Sequence, residues 1–316
     1  MGFSDLISAN LVKIQNSFYL GGLPFGSILA IVRIVLLLSI IDQSIKLFPM
    51  KRFLILLFIC TPISVLFAQQ STYELKQNIP YTADNGDPYV KERCVLDLYY
   101  PKDKKDFVTV IWFHGGGLEG GEKEIPTYLK EKGIAVVGVG YRLSPKAKVE
   151  DIIKDAAKAV SWTFNHIEEF SGSKKKIILS GHSAGGYLDL MLALNKRYLN
   201  DEGIDADDLF AVVPFSSQCI THYTSRAEKG IAMNQPIIDE FAPLYWVRKN
   251  NVPITLITGD RELEMVGRYE ENAYLARMFK IVGHPAIKLL ELDGYDHGMT
   301  YPAFPLLLKE IERWSK

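Results

Sequence analysis

The chain has 316 residues, 48% of them hydrophobic, and a formal net charge of −1 at pH 7. That size and apolar fraction suffice for one large α/β domain or two small ones. The near-zero charge provides no basic field for nucleic acid and no acidic one for a cationic partner. The cysteines, Cys60, Cys94 and Cys219, have neither a metal-binding spacing nor the pattern of a disulfide framework.

Residues 1–68 differ from the rest. From Met50 the text MKRFLILLFICTPISVLFAQQ sets Lys51 and Arg52 before an apolar run from Phe53 to Ile59, then a further run to Ala68 and the polar pair Gln69 and Gln70. Charge, apolar stretch and small-residue end follow the order of a secretory signal. Residues 50–68 are therefore expected to be a signal peptide cleaved near Ala68, leaving an extracytoplasmic (periplasmic or secreted) chain. A lipid anchor at Cys60 fits less well, because Ile59 rather than a small residue precedes it. Within residues 1–49, the apolar stretch Ile28–Ile41 is broken by Arg33 and Ser39 and falls short of the ~20 residues of a membrane helix. The simpler account is an extension upstream of a true start at Met50, the competing one a two-segment membrane anchor. No stable membrane span is expected in the mature chain.

From residue 69 onward, β-rich runs alternate with helical periodicity. Val90–Tyr100 has partial two-fold alternation and reads as an early strand. Phe107–Phe113 (FVTVIWF) and Ile134–Val139 (IAVVGV) are continuous apolar runs, as in strands buried on both faces. Ile177–Leu179, Leu209–Val213, Pro253–Ile257 and Ile287–Leu292 repeat the theme. In Asp151–Phe170, residues Ile153, Ala156, Ala157, Val160, Phe164 and Ile167 recur at helical spacing. Arg268–Val282 does likewise, with Gly283 placed to end it. Strand and helix in alternation predict one α/β domain over residues 69–316, with a mostly parallel central sheet and helices on both faces.

In such a sheet, ligands gather outside the carboxyl ends of the strands, and unusual text stands at these ends. SGHSAGG (Ser180–Gly186) places Gly-x-Ser-x-Gly between a strand and a helical run, the pattern of a nucleophile elbow with Ser183 at its tip. The start of the following helix favours negative charge there. FHGGGLEGG (Phe113–Gly121) follows another strand. Consecutive glycines let backbone N–H groups approach a developing oxyanion, and the candidate donors are Gly116, Gly117 and Ala184. His114 in the same loop suits a buried strut better than a base. GYDHGM (Gly294–Met299) follows the last strand. Among the six histidines, His297 alone lies where the chain order serine, acid, histidine places a general base. TGDRELE (Thr258–Glu264) carries Asp260, Glu262 and Glu264 at alternate positions. In an extended stretch these share a face, although Asp260 also suits a helix cap.

HGGGL, GHSAGGY, GDRELE followed by GRYEENAYLARM, and GYDHGM together resemble the α/β-hydrolase superfamily. More narrowly, they resemble its hormone-sensitive-lipase-like esterases and the secreted feruloyl or acetyl esterase (BD-FAE-like) branch. The resemblance runs from about Val90 to the C-terminus. It implies a Ser–acid–His triad that hydrolyses carboxylic esters, with Ser183 as nucleophile and His297 as base and with no metal or cofactor. The superfamily's usual spacing past the strand-ending glycine favours Glu262 as the acid, with Asp260 next and Glu264 needing a longer loop. Only Ser71–Tyr89 precedes the first resembling segment, too short for the large N-terminal cap of lipase-like members. An open site is the expectation, able to take an ester carried on a polysaccharide such as plant xylan. Tyr141, Tyr187, Leu118 and Tyr295 lie near these loops, where packing is the simpler account of each. The competing readings are a lipase, formamidase or peptidase on the same fold, and a binding protein without catalysis.

Overall fold

The structure is a computed structural model that describes residues 71–83, 86–265 and 267–316, so the expectations for residues 1–49 and 50–68 lie outside the described residues. Strands β1 (Tyr73–Pro80), β2 (Val95–Pro101), β3 (Phe107–Phe113), β4 (Ala135–Val139), β5 (Gly172–His182), β6 (Ala211–Phe215), β7 (Ile254–Gly259) and β8 (Ile287–Leu292) form one sheet. Their spatial order is β1-β2-β4-β3-β5-β6-β7-β8. β2 runs antiparallel to both β1 and β4, and every later pair is parallel. The helices are α1 (Pro88–Arg93), α2 (Val149–His166), α3 (Ala184–Leu194), α4 (Lys196–Asn200), α5 (Tyr223–Glu228), α6 (Arg268–Ile281) and α7 (Thr300–Trp314).

The apolar run of β3 explains its central place. Phe107, Ile111 and Phe113 enter one core with Ile153, Ala157 and Phe164 of α2, Leu188 of α3, and Leu275 and Phe279 of α6. Val108, Val110 and Trp112 enter the opposite core with Phe304, Leu307 and Ile311 of α7. A strand whose two faces both meet helices has no room for polar alternation. Each large side chain buried in this way contributes roughly 1.5–3 kcal/mol. Trp112 packs edge-on against Phe215 with ring centroids 5.6 Å apart, which ties β3 to β6 across the sheet face. The predicted stripe, Ile153 to Ile167, is buried along α2 and into the 3₁₀ turn that follows it.

At the N-terminal side one sequence expectation shifts and one strand appears that the sequence did not announce. Val90–Tyr100 is not one strand: Asp87 caps α1, its Oδ1 accepting from Tyr89 N at 2.8 Å, and Pro88 occupies the first turn. The strand then starts only at Val95. Ahead of it, YELKQNIP forms β1, a largely exposed edge strand paired to β2. Its polar face concealed it from an apolar reading. The described residues before β2 are thus used in this strand and one short helix. The longest covering segment is instead the β6–β7 connection, residues 216–253, which holds α5 and a 3₁₀ turn at Pro243–Trp246. Among the described residues, no helix is long and apolar enough to cross a membrane.

Parallel pairing brings the carboxyl ends of β3, β5, β6 and β7 to one edge, where the motif loops meet. Directly behind that edge, α3 is buried at every residue, including a carboxylic acid, Asp189. Neither Asp189 oxygen has a hydrogen-bond partner among the described residues, and burial pushes its carboxyl far above the usual range. The unfolded chain releases this proton near pH ~4 while the folded chain retains it, so this group's stabilisation is complete in acid and declines as pH rises. Asp189→Asn is expected to raise Tm by several degrees near pH ~8 and to change it little near pH ~4. Calorimetry at the two pH values checks this.

Candidate active site

Ser183 is held in an unusual backbone conformation, φ 55° and ψ −112°, between β5 and α3. Such a geometry costs a non-glycine residue on the order of 1–3 kcal/mol and persists only where its surroundings enforce it. They do so here. A Cβ added at Gly185 would lie 2.0 Å from the Phe113 carbonyl oxygen, and one at Gly181 would lie 2.7 Å from the same atom. Both glycines are therefore required for α3 to start against the end of β3. Ser183 N donates to Phe215 O at 2.8 Å, and Tyr187 N to Ser183 O at 3.0 Å, which pins the turn to β6 and to its own helix.

His297, in the loop after β8, points Nε2 at Ser183 Oγ, 2.9 Å away. Its Nδ1–H donates to Glu264 Oε2 at 2.9 Å. The Glu264 side chain is only 1% exposed. Its Oε1 accepts from Ser216 Oγ at 2.5 Å and from Gly259 N at 3.1 Å. Burial alone would raise this carboxyl, but the bonds from His297, Ser216 and the Gly259 amide outweigh it and hold the group at about 2. Glu264 is thus ionised across any working range and fixes His297 with its proton on Nδ1, leaving Nε2 to accept a proton from serine.

The carboxylate that meets His297 is Glu264, not Glu262, which the superfamily's usual spacing favours. Glu262 is exposed to solvent. Asp260 accepts from Glu262 N and Gly294 N, both at 2.8 Å, and so braces the β7 loop against the β8 loop without touching His297. The cause is local. The segment is not extended: Leu263 N and Glu264 N both donate to Asp260 O, closing a helical turn. In a turn of that pitch positions 260 and 264 share a side while 262 faces away. Ser216, at the end of β6, was not singled out from the sequence. It also lies 2.8 Å from His297 Nδ1, and the available signal was its place at another strand end on the same edge.

The glycine loop passes over the serine: a Cβ added at Gly115 would lie 3.5 Å from Ser183 Cβ. Gly116 and Gly117 take φ 110° and 66°. Among the described residues, none accepts a hydrogen bond from the amides of Gly116, Gly117 or Ala184. Ala184 opens α3, whose first N–H groups have no partner within the helix. Ala184 directly follows Ser183, and Gly116 and Gly117 continue the loop whose Gly115 packs against that serine.

His114 braces this loop. Its ring stacks on Tyr141 at 4.2 Å, and Tyr141 Oη donates to His114 O at 2.6 Å. Arg93 ties the two flanks together through Tyr141 O at 3.1 Å and Gly121 O at 2.9 Å. Burial lowers the His114 imidazole to about 4, so it is neutral. His182 turns from the serine and donates Nε2–H to His297 O at 2.7 Å, bracing the base's own loop. Burial, then the neighbouring His297, lower it to about 4 as well. Tyr141, Tyr187 and Leu118 are fully buried packing residues, whereas Tyr295 is 49% exposed. No group of three or more His, Cys, Asp or Glu side chains that could hold a metal occurs among the described residues.

Residues 96–215 match the BD-FAE family. The chain is 34% identical over 118 residues to Lipase 2 of Moraxella sp. (strain TA144), a match spanning 35% of this chain and 27% of that protein. It is 31% identical over 121 residues to an acetyl esterase of Salmonella choleraesuis (strain SC-B67), covering 37% of this chain and 36% of the relative. The chain thus spans only about a quarter to a third of the length of these relatives. A structure described as a truncated carbohydrate esterase from gut microbiota superposes with TM-score 0.64 at 17% identity, covering 78% of this chain and 98% of that one. The fold is that of the α/β hydrolases.

Glu264→Gln is expected to lower kcat about 10³- to 10⁴-fold with the protein still folded, because the imidazole loses its tautomer-fixing partner. Glu262→Gln is expected to stay close to wild type. Steady-state kinetics on an aryl acetate, with circular dichroism to confirm folding, separate the two.

Proposed function

We propose that this chain, an α/β hydrolase by fold with a BD-FAE match over residues 96–215, is a serine carboxylesterase. The observation that carries the reading is the continuous hydrogen-bonded line from Ser183 Oγ through His297 to ionised Glu264. Ser183 Oγ adds to the ester carbonyl carbon as its proton passes to His297 Nε2. The carbonyl π pair moves to oxygen, and the resulting oxyanion accepts from Gly116, Gly117 and Ala184. Collapse of the tetrahedral species expels the alcohol oxygen, which takes the proton from His297. Water then attacks the acyl-serine by the same proton route and releases the acid. Nothing in this sequence of steps calls for a metal or a cofactor.

The substrate we assign is an acetyl or feruloyl ester borne on plant polysaccharide, met outside the cytoplasm. Support comes from the signal-like text at 50–68, the acetyl esterase relative, and the fold neighbour described as a carbohydrate esterase. Similarity to Lipase 2 supports lipid esters as the competing substrate. Wild type is expected to release acetate or ferulate from acetylated or feruloylated xylan, and Ser183→Ala to release none. Hydrolysis confined to long-chain glycerides, or to peptide anilides, contradicts the assignment.

A further inference from the structure

The β6–β7 connection folds back onto the glycine loop and fastens to it. Thr224, in α5, donates its hydroxyl to Gly117 O at 2.6 Å. Its neighbour Tyr223 reaches the same glycine from the side: a Cβ added at residue 117 would lie 1.6 Å from Tyr223 Oη. The phenol oxygen thus fills the space beside the Gly117 backbone that any side chain there would need. Gly117 is one of the residues whose amide stands ready for the oxyanion.

The phenol ring is also packed in place. Tyr223 N donates to Gln218 Oε1 at 3.2 Å, and its ring stacks on His222 with centroids 4.5 Å apart. His222 in turn packs on Tyr187 at 4.8 Å, and Tyr187 Oη donates to Phe241 O at 2.9 Å. Connection, elbow helix and glycine loop are therefore locked together through one aromatic stack. Tyr223 itself is only partly buried.

We propose that Tyr223 is a further oxyanion donor: its phenol O–H, set beside the Gly117 amide, donates to the carbonyl oxygen of the bound ester as that oxygen gains charge. The assignment rests on the carboxylesterase reading and adds to it a side-chain donor supplied by the β6–β7 connection. Burial and the Glu119 carboxylate raise the phenol's pKa, so the hydroxyl keeps its proton and remains a donor throughout the working range. Arg268, whose Nη1 donates to Ser216 O at 3.0 Å, opposes that rise and places a positive charge on the same side of the site. A donor already in place before charge develops needs little reorganisation during reaction, which is what makes such groups effective.

A purely packing role for the ring predicts that phenylalanine serves equally well. Tyr223→Phe is therefore the test, with competent sites counted by burst titration so that activity is referred to folded enzyme. On an aryl acetate the variant is expected to lose on the order of tenfold to a hundredfold in kcat, with KM little changed. Inhibition by a trifluoromethyl ketone, whose serine adduct carries the oxyanion, is expected to weaken by the same factor. An active wild type matched by Tyr223→Phe in both readouts overturns the Tyr223 assignment alone. A wild type that hydrolyses no ester overturns the esterase reading and this assignment with it.

Discussion

The carbonyl oxygen of Phe113 leaves no room for a side chain at residue 185, and most of the site follows from that crowding. Helix α3 can begin directly against the end of β3 only because glycine stands there. The turn between β5 and α3 is then too short for relaxed geometry, and Ser183 takes the strain at φ 55°. The same closeness sets the start of α3, with the Ala184 amide, next to the loop that leaves β3 and carries Gly116 and Gly117. The strained serine and the glycine loop beside it are brought together by a single packing contact between a strand end and a helix start.

Electrostatics then divides the titratable groups into distinct roles. His114, buried, and His182, half-buried, are both neutral, and each is committed to bracing a loop. Glu264 is also buried, but its hydrogen bonds keep it charged. Of the imidazoles gathered at this edge, only His297 has one nitrogen on a carboxylate and the other on a hydroxyl. Its loop is held by His182 through the backbone oxygen of His297 and by Asp260 through the Gly294 amide. Side chains that looked like competitors for catalysis instead set the position of the base.

Much of this was legible in the sequence, for identifiable reasons. FVTVIWF and IAVVGV read as buried strands because both faces meet helices. Ser183 and His297 stood out because Gly-x-Ser-x-Gly and a histidine after the last strand are positional signals that survive without coordinates. The acid was not legible. Alternation suits extended chain, but residues 260–264 form a turn, so the side chain that arrives at His297 is Glu264 and Glu262 faces water. The small helix α1 was hidden because its origin lies in one cap, Asp87, and one proline. Tyr223 and Thr224 gave no signal at all, since nothing local marks a segment that folds back onto a loop more than a hundred residues earlier in the chain.

One imidazole links Ser183 to Glu264, and proton NMR of the His297 ring reads that link. A strongly deshielded Nδ1–H resonance is the expected signature of an imidazole donating to a buried carboxylate. That signal is expected in wild type and in Glu262→Gln, and is expected to be lost in Glu264→Gln. Its persistence in Glu264→Gln, or its loss in Glu262→Gln, would contradict the account.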